Sequence, residues 1–429
     1  MELEKIDLNG GYNPYELKWN ETITFPSTRK LTEYGNKVYN RYPARSVFLV
    51  PRAILNHFPK MKNLSILDPF MGSGTTAVEA SNFNCKIYGV EMDPFARMIA
   101  EASILRFNDI DLLELSKYKE AILVNLSKTK LNIQLTPKLK NIEHWFDDEV
   151  FKDILKLKTC IFETVNEDKF LKFFLISLAD AIKPASKMER QSTKPYISSK
   201  YKKKTKPVLE SFEYSFKKHL DALKQFKRTN KTEPKITWIG EDATNFNFTK
   251  SSINLAITSP PYLNAFDYTQ VIKVESAWLG LLDDESASTL RSTQVGHEKR
   301  RHQEIRVVVS SIFKKYYDQI INSDNNSSKS EKLKIANTCL AYFNDIYSNL
   351  ILVNEALLNE GEYHMIIGDN TIKGVEIPTH KLIAELSQDV GFEWFGYYKY
   401  PIKDHRTSIP RNDNGGKIKY EFVIMLKKK

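Results

Sequence analysis

A chain of 429 residues with 41% hydrophobic content is long enough to bury one large core and an accessory domain. Its 63 Lys and Arg against 53 Asp and Glu leave it at +10, a balance that favours a polyanionic partner without naming one. Cys85, Cys160 and Cys339 are too scattered for a disulfide framework or a zinc site and point to a reducing compartment; no apolar run approaches a membrane span, and a start carrying Glu2, Glu4 and Asp7 reads as no signal peptide.

Residues 1–35 read as an N-terminal extension, followed by Arg41-Tyr42-Pro43-Ala44-Arg45 and Val50-Pro51. A short apolar strand at 65–67 then runs into Asp68-Pro69-Phe70-Met71-Gly72-Ser73-Gly74-Thr75-Thr76 and a helical run at 77–81. Gly72 and Gly74 permit positive φ and let a ligand approach the backbone where the helix begins. The next strand, 88–90, ends in Glu91, and a carboxylate placed there can accept hydrogen bonds from both hydroxyls of a ribose. These are the two halves of a nucleoside-cofactor site. A P-loop would need Gly-Lys-Ser or Gly-Lys-Thr where the chain has Gly74-Thr75-Thr76, which argues against a nucleoside triphosphatase. Gly72-x-Gly74-x-x-Ala77 meets the loose dinucleotide pattern but leaves Asp68-Pro69-Phe70 unexplained.

From 106 to 182 the character changes: Trp145, Phe146, Val150, Phe151, Ile154 and Leu155, then Phe170, Phe173, Phe174 and Leu178, recur at helical spacing and predict helices docked on the sheet, their aromatics in a core. The stretch 183–206 holds nine Lys or Arg against one acidic residue, with hydroxyls and tyrosines between them. That composition suits phosphate contact, through Lys202, Lys203 and Lys204 above all, and equally suits a solvated loop. Residues 106–231 are thus a helical and basic insert and a candidate target-recognition region.

Gly240-Glu241-Asp242-Ala243 follows a strand at 236–239, and an apolar run at 253–257 leads into Thr258-Ser259-Pro260-Pro261-Tyr262. Two prolines fix φ and remove N–H donors, so this loop is stiff and offers acceptors, and Tyr262 adds a flat face. A planar base whose NH2 must be gripped by both hydrogens fits such a loop; a plain Ser-Pro-Pro turn with a surface tyrosine fits the same residues. A second insert, 285–335, contains Glu298-Lys299-Arg300-Arg301-His302, with Arg300 and Arg301 as candidate backbone contacts, and a polar run at 323–330 expected to be a mobile loop. Strands are expected at 362–367, before Gly368-Asp369-Asn370, and at 392–400 and 420–426; the basic loop between the last two offers His405, Arg406 and Arg411 for base or phosphate contact. His144, His302 and His364 lack partners at ligand spacing, and no cysteine follows a proline, which argues against thiolate-dependent methylation of cytosine C5.

Asp68-Pro69-Phe70 with Ser259-Pro260-Pro261-Tyr262 downstream closely resembles the S-adenosylmethionine-dependent DNA amino-methyltransferases, which methylate cytosine N4 or adenine N6. The resemblance covers 36–105 and 232–429, the catalytic part, and implies an α/β fold: a Rossmann-like seven-stranded mixed sheet with helical inserts. It implies that the segment through Arg45 closes over the methionine end of the cofactor, that Asp68, Pro69, Phe70, Gly72, Ser73, Gly74 and Thr75 form its pocket, that Glu91 binds the ribose, and that Asp242 and Ala243 lie by the adenine. The target base would be flipped from the duplex, stacked on Tyr262 and held through its NH2 by Ser259 and the Pro260 carbonyl, with Pro261 stiffening the loop and no metal required. Serine at 259, where the adenine enzymes usually carry Asp or Asn, tilts the choice to cytosine N4. Double-stranded DNA, a companion restriction endonuclease and a prokaryotic cytoplasm complete the expectation. The glycine loop precedes the catalytic loop here, whereas many members with Ser-Pro-Pro-Tyr run the other way; the site survives that reordering, but the place of target recognition does not follow from it. Adenine-N6 methylation, RNA amino-methylation and a catalytically silent DNA-binding protein are the rival readings.

Overall fold

The computed structural model describes residues 12–25, 38–39, 41–43, 45–59, 63–190, 192–200, 202–225, 233–263, 267–297, 299–300, 304–402 and 418–429. Short aliphatic runs between turn residues become β1 (Glu21–Thr22), β2 (Leu64–Asp68), β3 (Cys85–Val90), β4 (Ile236–Gly240), β5 (Ile253–Thr258) and β6 (Leu357–Gly368), then a hairpin of β7 (Asn370–Ile372) and β8 (Val375–Ile377), then β9 (Phe392–Pro401) and β10 (Tyr420–Lys428). All but the hairpin form one sheet in the order β1-β9-β10-β6-β5-β2-β3-β4. Seven of its strands make the expected mixed sheet, with β10 antiparallel to both β6 and β9; the eighth, β1, adds two residues parallel to β9 at the outer edge. From β2 the chain steps outward to β3 and β4, then returns to pair β5 on the other side of β2. The order reverses there, so the carboxyl ends of β2 and β5 flank the crevice where doubly wound sheets take ligands.

Alternation along the strands sorts side chains between two layers of helices. Ile66, Leu255, Ile257, Ile366 and Val423 join a core with the helices Leu49–His57 and Thr75–Ala80. Their neighbours Leu67, Ala256, Met365, Ile367 and Ile424 pack on the other side with the helices Lys329–Ala356 and Thr379–Asp389. The inserted helices Asp109–Asn125, Asp148–Thr164, Asp168–Ala185 and Val208–Gln225 bring Phe170, Phe173, Phe174, Phe212 and Phe216 into a third core, shared with Ile99 of the helix Pro94–Ile104 and Trp278 of the helix Tyr268–Trp278. Phe170, Phe173 and Phe174 are core, as their spacing predicted, and Phe212 and Phe216 join them. Asp180 of this insert accepts from Arg41 at 3.0 Å, Lys218 at 2.7 Å and His219 at 3.2 Å. Burial would raise its carboxyl, but Arg41, the His219 hydrogen bond and Lys218 together hold it well below the usual range. The segment leading to the glycine loop is thereby tied to the insert.

The extension docks on the sheet: Tyr12 Oη lies 3.0 Å from Tyr398 Oη, and Tyr15 Oη donates to Glu362 at 2.8 Å. Within the second insert, the polar run expected to be mobile is a compact turn. Asn325 Nδ2 donates to Ser323 at 2.7 Å, and Ser328 caps the helix Lys329–Ala356 by accepting from the Glu331 N–H at 3.2 Å. Serine and asparagine satisfy local donors and acceptors there, the same property that makes them poor inside a helix.

Candidate active site

The two motifs meet side by side at the switch in strand order. Asp68 closes β2 and Thr258 closes β5; the Thr258 hydroxyl donates to Asp68 Oδ1 at 2.5 Å, and the Phe70 N–H reaches both Asp68 Oδ1 at 3.1 Å and Thr258 Oγ1 at 3.2 Å. Burial lifts the Asp68 carboxyl to about 6 against the opposing hydrogen bonds of Thr258 and Thr76. After Phe70 the loop turns back on β3 through Met71 N–H to the Val90 carbonyl at 3.0 Å. At φ 51° Gly72 points its N–H at Glu91 Oε2, 2.7 Å away, while the Asp93 N–H holds Oε1 at 2.8 Å. Each Glu91 oxygen keeps a lone pair for a further donor. Burial, then the nearby Asp93 charge, lifts Glu91 to about 7, and burial lifts Asp93 to about 6.

These residues line a cleft of about 970 Å³, the space open to solvent at its mouth included. Of the residues expected to hold a cofactor, Arg45, Asp68, Pro69, Phe70, Gly72, Ser73, Thr75, Glu91, Asp242 and Ala243 all face it, and Ser259 and Pro261 close one side. Gly74 serves differently. At φ 83° it begins the helix Thr75–Ala80, and a Cβ there would lie 2.7 Å from Ala100 Cβ, so it allows helix packing instead of ligand contact. Arg45 forms the rim, with Nε to Ser73 Oγ at 3.1 Å and a terminal nitrogen to the Val38 and Tyr39 carbonyls. Arg97 joins the ends of β3 and β4 by donating to the Glu91 and Gly240 carbonyls, both at 2.6 Å. Asp242 caps its own turn through Thr244, and the Ala243 carbonyl accepts from Asn349 at 2.8 Å.

Among the described residues of the cleft lining, five carboxylates (Asp68, Glu91, Asp93, Glu241 and Asp242) face one arginine, Arg45. Glu241 is paired with Arg97 at 3.6 Å and Asp242 with Arg300 at 3.5 Å, so the acidic character rests chiefly on Asp68, Glu91 and Asp93, and it suits a ligand carrying positive charge. Pro260 is buried, and Tyr262 stands half-buried beyond the cleft with its hydroxyl on Glu421.

A DNA methylase family of the N6/N4 type matches residues 4–102. The Type II methyltransferase M.MvaI of Kocuria varians is 23% identical over 94% of this chain and 92% of its own, and M.BsoBI of Geobacillus stearothermophilus 24% identical over 95% and 88%. The Type II methyltransferase M.MjaII of Methanocaldococcus jannaschii is 28% identical over 33% of this chain and 24% of its own. The chain thus resembles DNA methylases of the N6/N4 type through residues 4–102 and Type II methyltransferases along nearly its whole length.

The residues expected to contact nucleic acid divide. Lys202 and Lys204 are exposed on a broad basin, lined also by Arg190, Tyr196 and Lys206. Lys203 instead donates to the Lys183 and Ser186 carbonyls at 2.5 and 2.8 Å, and burial, then Arg190 and Lys183, lowers its amine to about 8. Arg300 corrects the sequence reading most clearly. It is 7% exposed, with Nε 2.7 Å from Asp345, Nη2 3.0 Å from Thr244 Oγ1 and 3.5 Å from Asp242, and Nη1 on the Thr293 carbonyl. A guanidinium so enclosed braces the Asp242 turn and has no face left for phosphate. Arg301, His405, Arg406 and Arg411 lie outside the described residues. His364 is fully buried, with Nε2 2.7 Å from Glu362. Sequence reasoning missed Asp93, although Asp93-Pro94 is a helix-start signature, and Asp93 Oδ1 does accept from the Phe95 N–H at 2.8 Å. It also missed Tyr268, at the start of the helix Tyr268–Trp278, and Thr293 and Gln294 of the second insert, all of which line the cleft.

Proposed function

We propose that this chain is a DNA methyltransferase that transfers a methyl group from S-adenosylmethionine to the N4 amine of a cytosine flipped out of duplex DNA. One observation carries the reading: the Asp68–Thr258 hydrogen bond sets the acidic cleft and the Ser-Pro-Pro-Tyr loop on adjacent strand ends, so that a donor in one and a base on the other share a boundary at Ser259. The bound donor supplies a methyl group on a cationic sulfur. Glu91 accepts the ribose hydroxyls with its free lone pairs, Asp242 and Ala243 face the adenine, and Asp68 and Asp93 supply the negative field. Ser259 and the Pro260 carbonyl take the two amine hydrogens of the base, which draws the nitrogen toward tetrahedral geometry and frees its lone pair from the ring. Tyr262 holds the ring plane. With the donor held by these residues, the amine would be presented in line to its methyl group, which would pass to the nitrogen with the sulfur as leaving group and a proton lost from the nitrogen; positioning would provide much of the acceleration. Lys202 and Lys204 are the proposed phosphate contacts, and a companion endonuclease is the proposed setting, supported by the Type II names of the relatives.

Duplex DNA and total RNA incubated with labelled donor, then digested to nucleosides for mass spectrometry, test the assignment. N4-methylcytosine in DNA is expected. N6-methyladenine would refute the reading of Ser259, 5-methylcytosine would refute the mechanism, and label confined to RNA would move the substrate class.

A further inference from the structure

The catalytic loop is gripped from β6 and β10, strands that hold none of the donor-facing residues. Glu421 opens β10, opposite Gly368 of β6 and Tyr400 of β9, and its Oε1 accepts the Tyr262 hydroxyl. Backbone groups make the strand ladder, so this carboxylate adds nothing to sheet pairing. Gly368 makes room for the ring: a Cβ there would lie 3.2 Å from Tyr262 Cε2 and 2.8 Å from Ile418 Cγ2. The following carbonyl, Leu263, accepts from Asn370 Nδ2 at 2.9 Å. On the opposite side Gly296, at φ 77°, passes so close that a Cβ would sit 3.3 Å from the Tyr262 carbonyl oxygen. Tyr262 is thus fixed at its hydroxyl, ring edge, carbonyl and next peptide, which is more restraint than a tyrosine leaving a strand needs in order to fold.

We propose that Glu421 is a positioning residue for methyl transfer: by accepting the Tyr262 hydroxyl it anchors the far end of the ring on which the target base lies and so fixes the ring's position and tilt, so that the amine meets the methyl group in line. The inference rests on the stacking role proposed for Tyr262. A ring free to swing about χ1 would still bind a base but would present the amine over a spread of positions, and small errors of approach cost rate more than affinity. The effect belongs in kcat.

The test compares Tyr262→Phe, Glu421→Ala, Glu421→Gln and the Tyr262→Phe/Glu421→Ala double variant on duplex DNA that the unaltered chain methylates, with donor affinity by calorimetry as the check on folding. Tyr262→Phe and Glu421→Ala are each expected to lower kcat about tenfold, with KM for DNA and donor affinity held within about twofold, and the double variant to be no slower than either. Glu421→Gln retains an acceptor oxygen and is expected to restore most of the rate. Unchanged kcat in Glu421→Ala, losses that multiply in the double variant, or Glu421→Gln as slow as Glu421→Ala would each overturn the role. Should Glu421→Ala also lose donor binding, the remaining pair decides: slow Tyr262→Phe beside near-normal Glu421→Gln supports the proposal, and Tyr262→Phe at full rate overturns it. An unaltered chain that methylates no DNA at all defeats the proposed function itself, a different result from a working enzyme indifferent to Glu421.

Discussion

Among the described residues lining the cleft at the ends of β2, β3 and β4, five carboxylates face one arginine, while along 183–206 nine lysines and arginines accompany one acidic residue. The acidic set is held by backbone: Glu91 sits between the N–H groups of Gly72 and Asp93, and Asp68 is anchored to Phe70 and Thr258. The basic set is held by long side chains, and part of it is already engaged. Lys183 donates to the Ser192 carbonyl at 2.5 Å, Lys203 bridges two carbonyls, and Lys206 lies 3.4 Å from Glu210. Charge fixed by backbone has one arrangement and reads as a site. Charge on flexible stems reads as a site only after its internal partners have been subtracted.

Substitutions can break that contrast, beginning with the largest effect. Gly72→Val forces a β-branched side chain to a φ of 51° and into the cleft, so donor binding should vanish in calorimetry while the chain still melts cooperatively. A donor affinity unchanged by this substitution would remove the glycine loop from the site. Next come Ser259→Ala and Tyr262→Ala, each expected to cut turnover on the order of a hundredfold or more with donor affinity preserved, measured by initial-rate methyl transfer.

A smaller effect sharpens the acidic side. Asp68 and Asp93 lie at about 6 and Glu91 at about 7 in the fold, above the values of an unfolded chain. Between the ordinary carboxylate range and about 7 the free protein therefore binds more protons than its unfolded state, and its stability falls as pH rises through that window. A cationic ligand favours the ionised carboxylates, so donor affinity should rise over the same window and binding should release protons, seen as a dependence of the calorimetric heat on buffer ionisation enthalpy. Affinity that falls with rising pH would reverse the assigned field.

The smallest effects separate the two kinds of cation. Arg300→Met should weaken the donor several-fold through the Asp242 turn and leave the salt dependence of DNA binding alone. Lys202→Ala with Lys204→Ala should do the opposite, lowering the salt slope by up to about 0.9 for each phosphate left without its cation. Equal behaviour of the two would erase the distinction.

Much of the fold was legible because its information is local. Strands expected at 65–67, 88–90, 236–239, 253–257, 362–367, 392–400 and 420–426 all lie within observed ones, and each motif is a contiguous run leaving a strand end. The insert helices Asp148–Thr164 and Asp168–Ala185 followed from aromatic spacing for the same reason. Arg300, Asn370 and Glu421 were illegible because their partners are set by topology. Glu421 meets Tyr262 only because β10 inserts between β6 and β9, and no neighbour in sequence announces that. Arg300 stands in a charge run that composition assigns to solvent, yet Asp345 and Asp242, distant in the chain, enclose it. Gly74 was recognised as necessary, but its reason, the approach of Ala100, belongs to packing and not to the ligand.

The short strand β1 matters beyond its length. β9 is the outermost long strand, and its free edge would expose a row of unpaired amides and carbonyls, a template on which a foreign strand can add. Residues 20–23 occupy that row: the Asn20 and Ile23 N–H groups donate to the Tyr397 and Lys399 carbonyls at 2.8 and 2.9 Å, and the Trp19 ring packs 5.1 Å from that of Trp394. The segment ahead of the first motif is in this sense a guard on solubility, and we expect a chain stripped of residues 12–25 to self-associate through β9 in light scattering while its distant cleft still takes the donor.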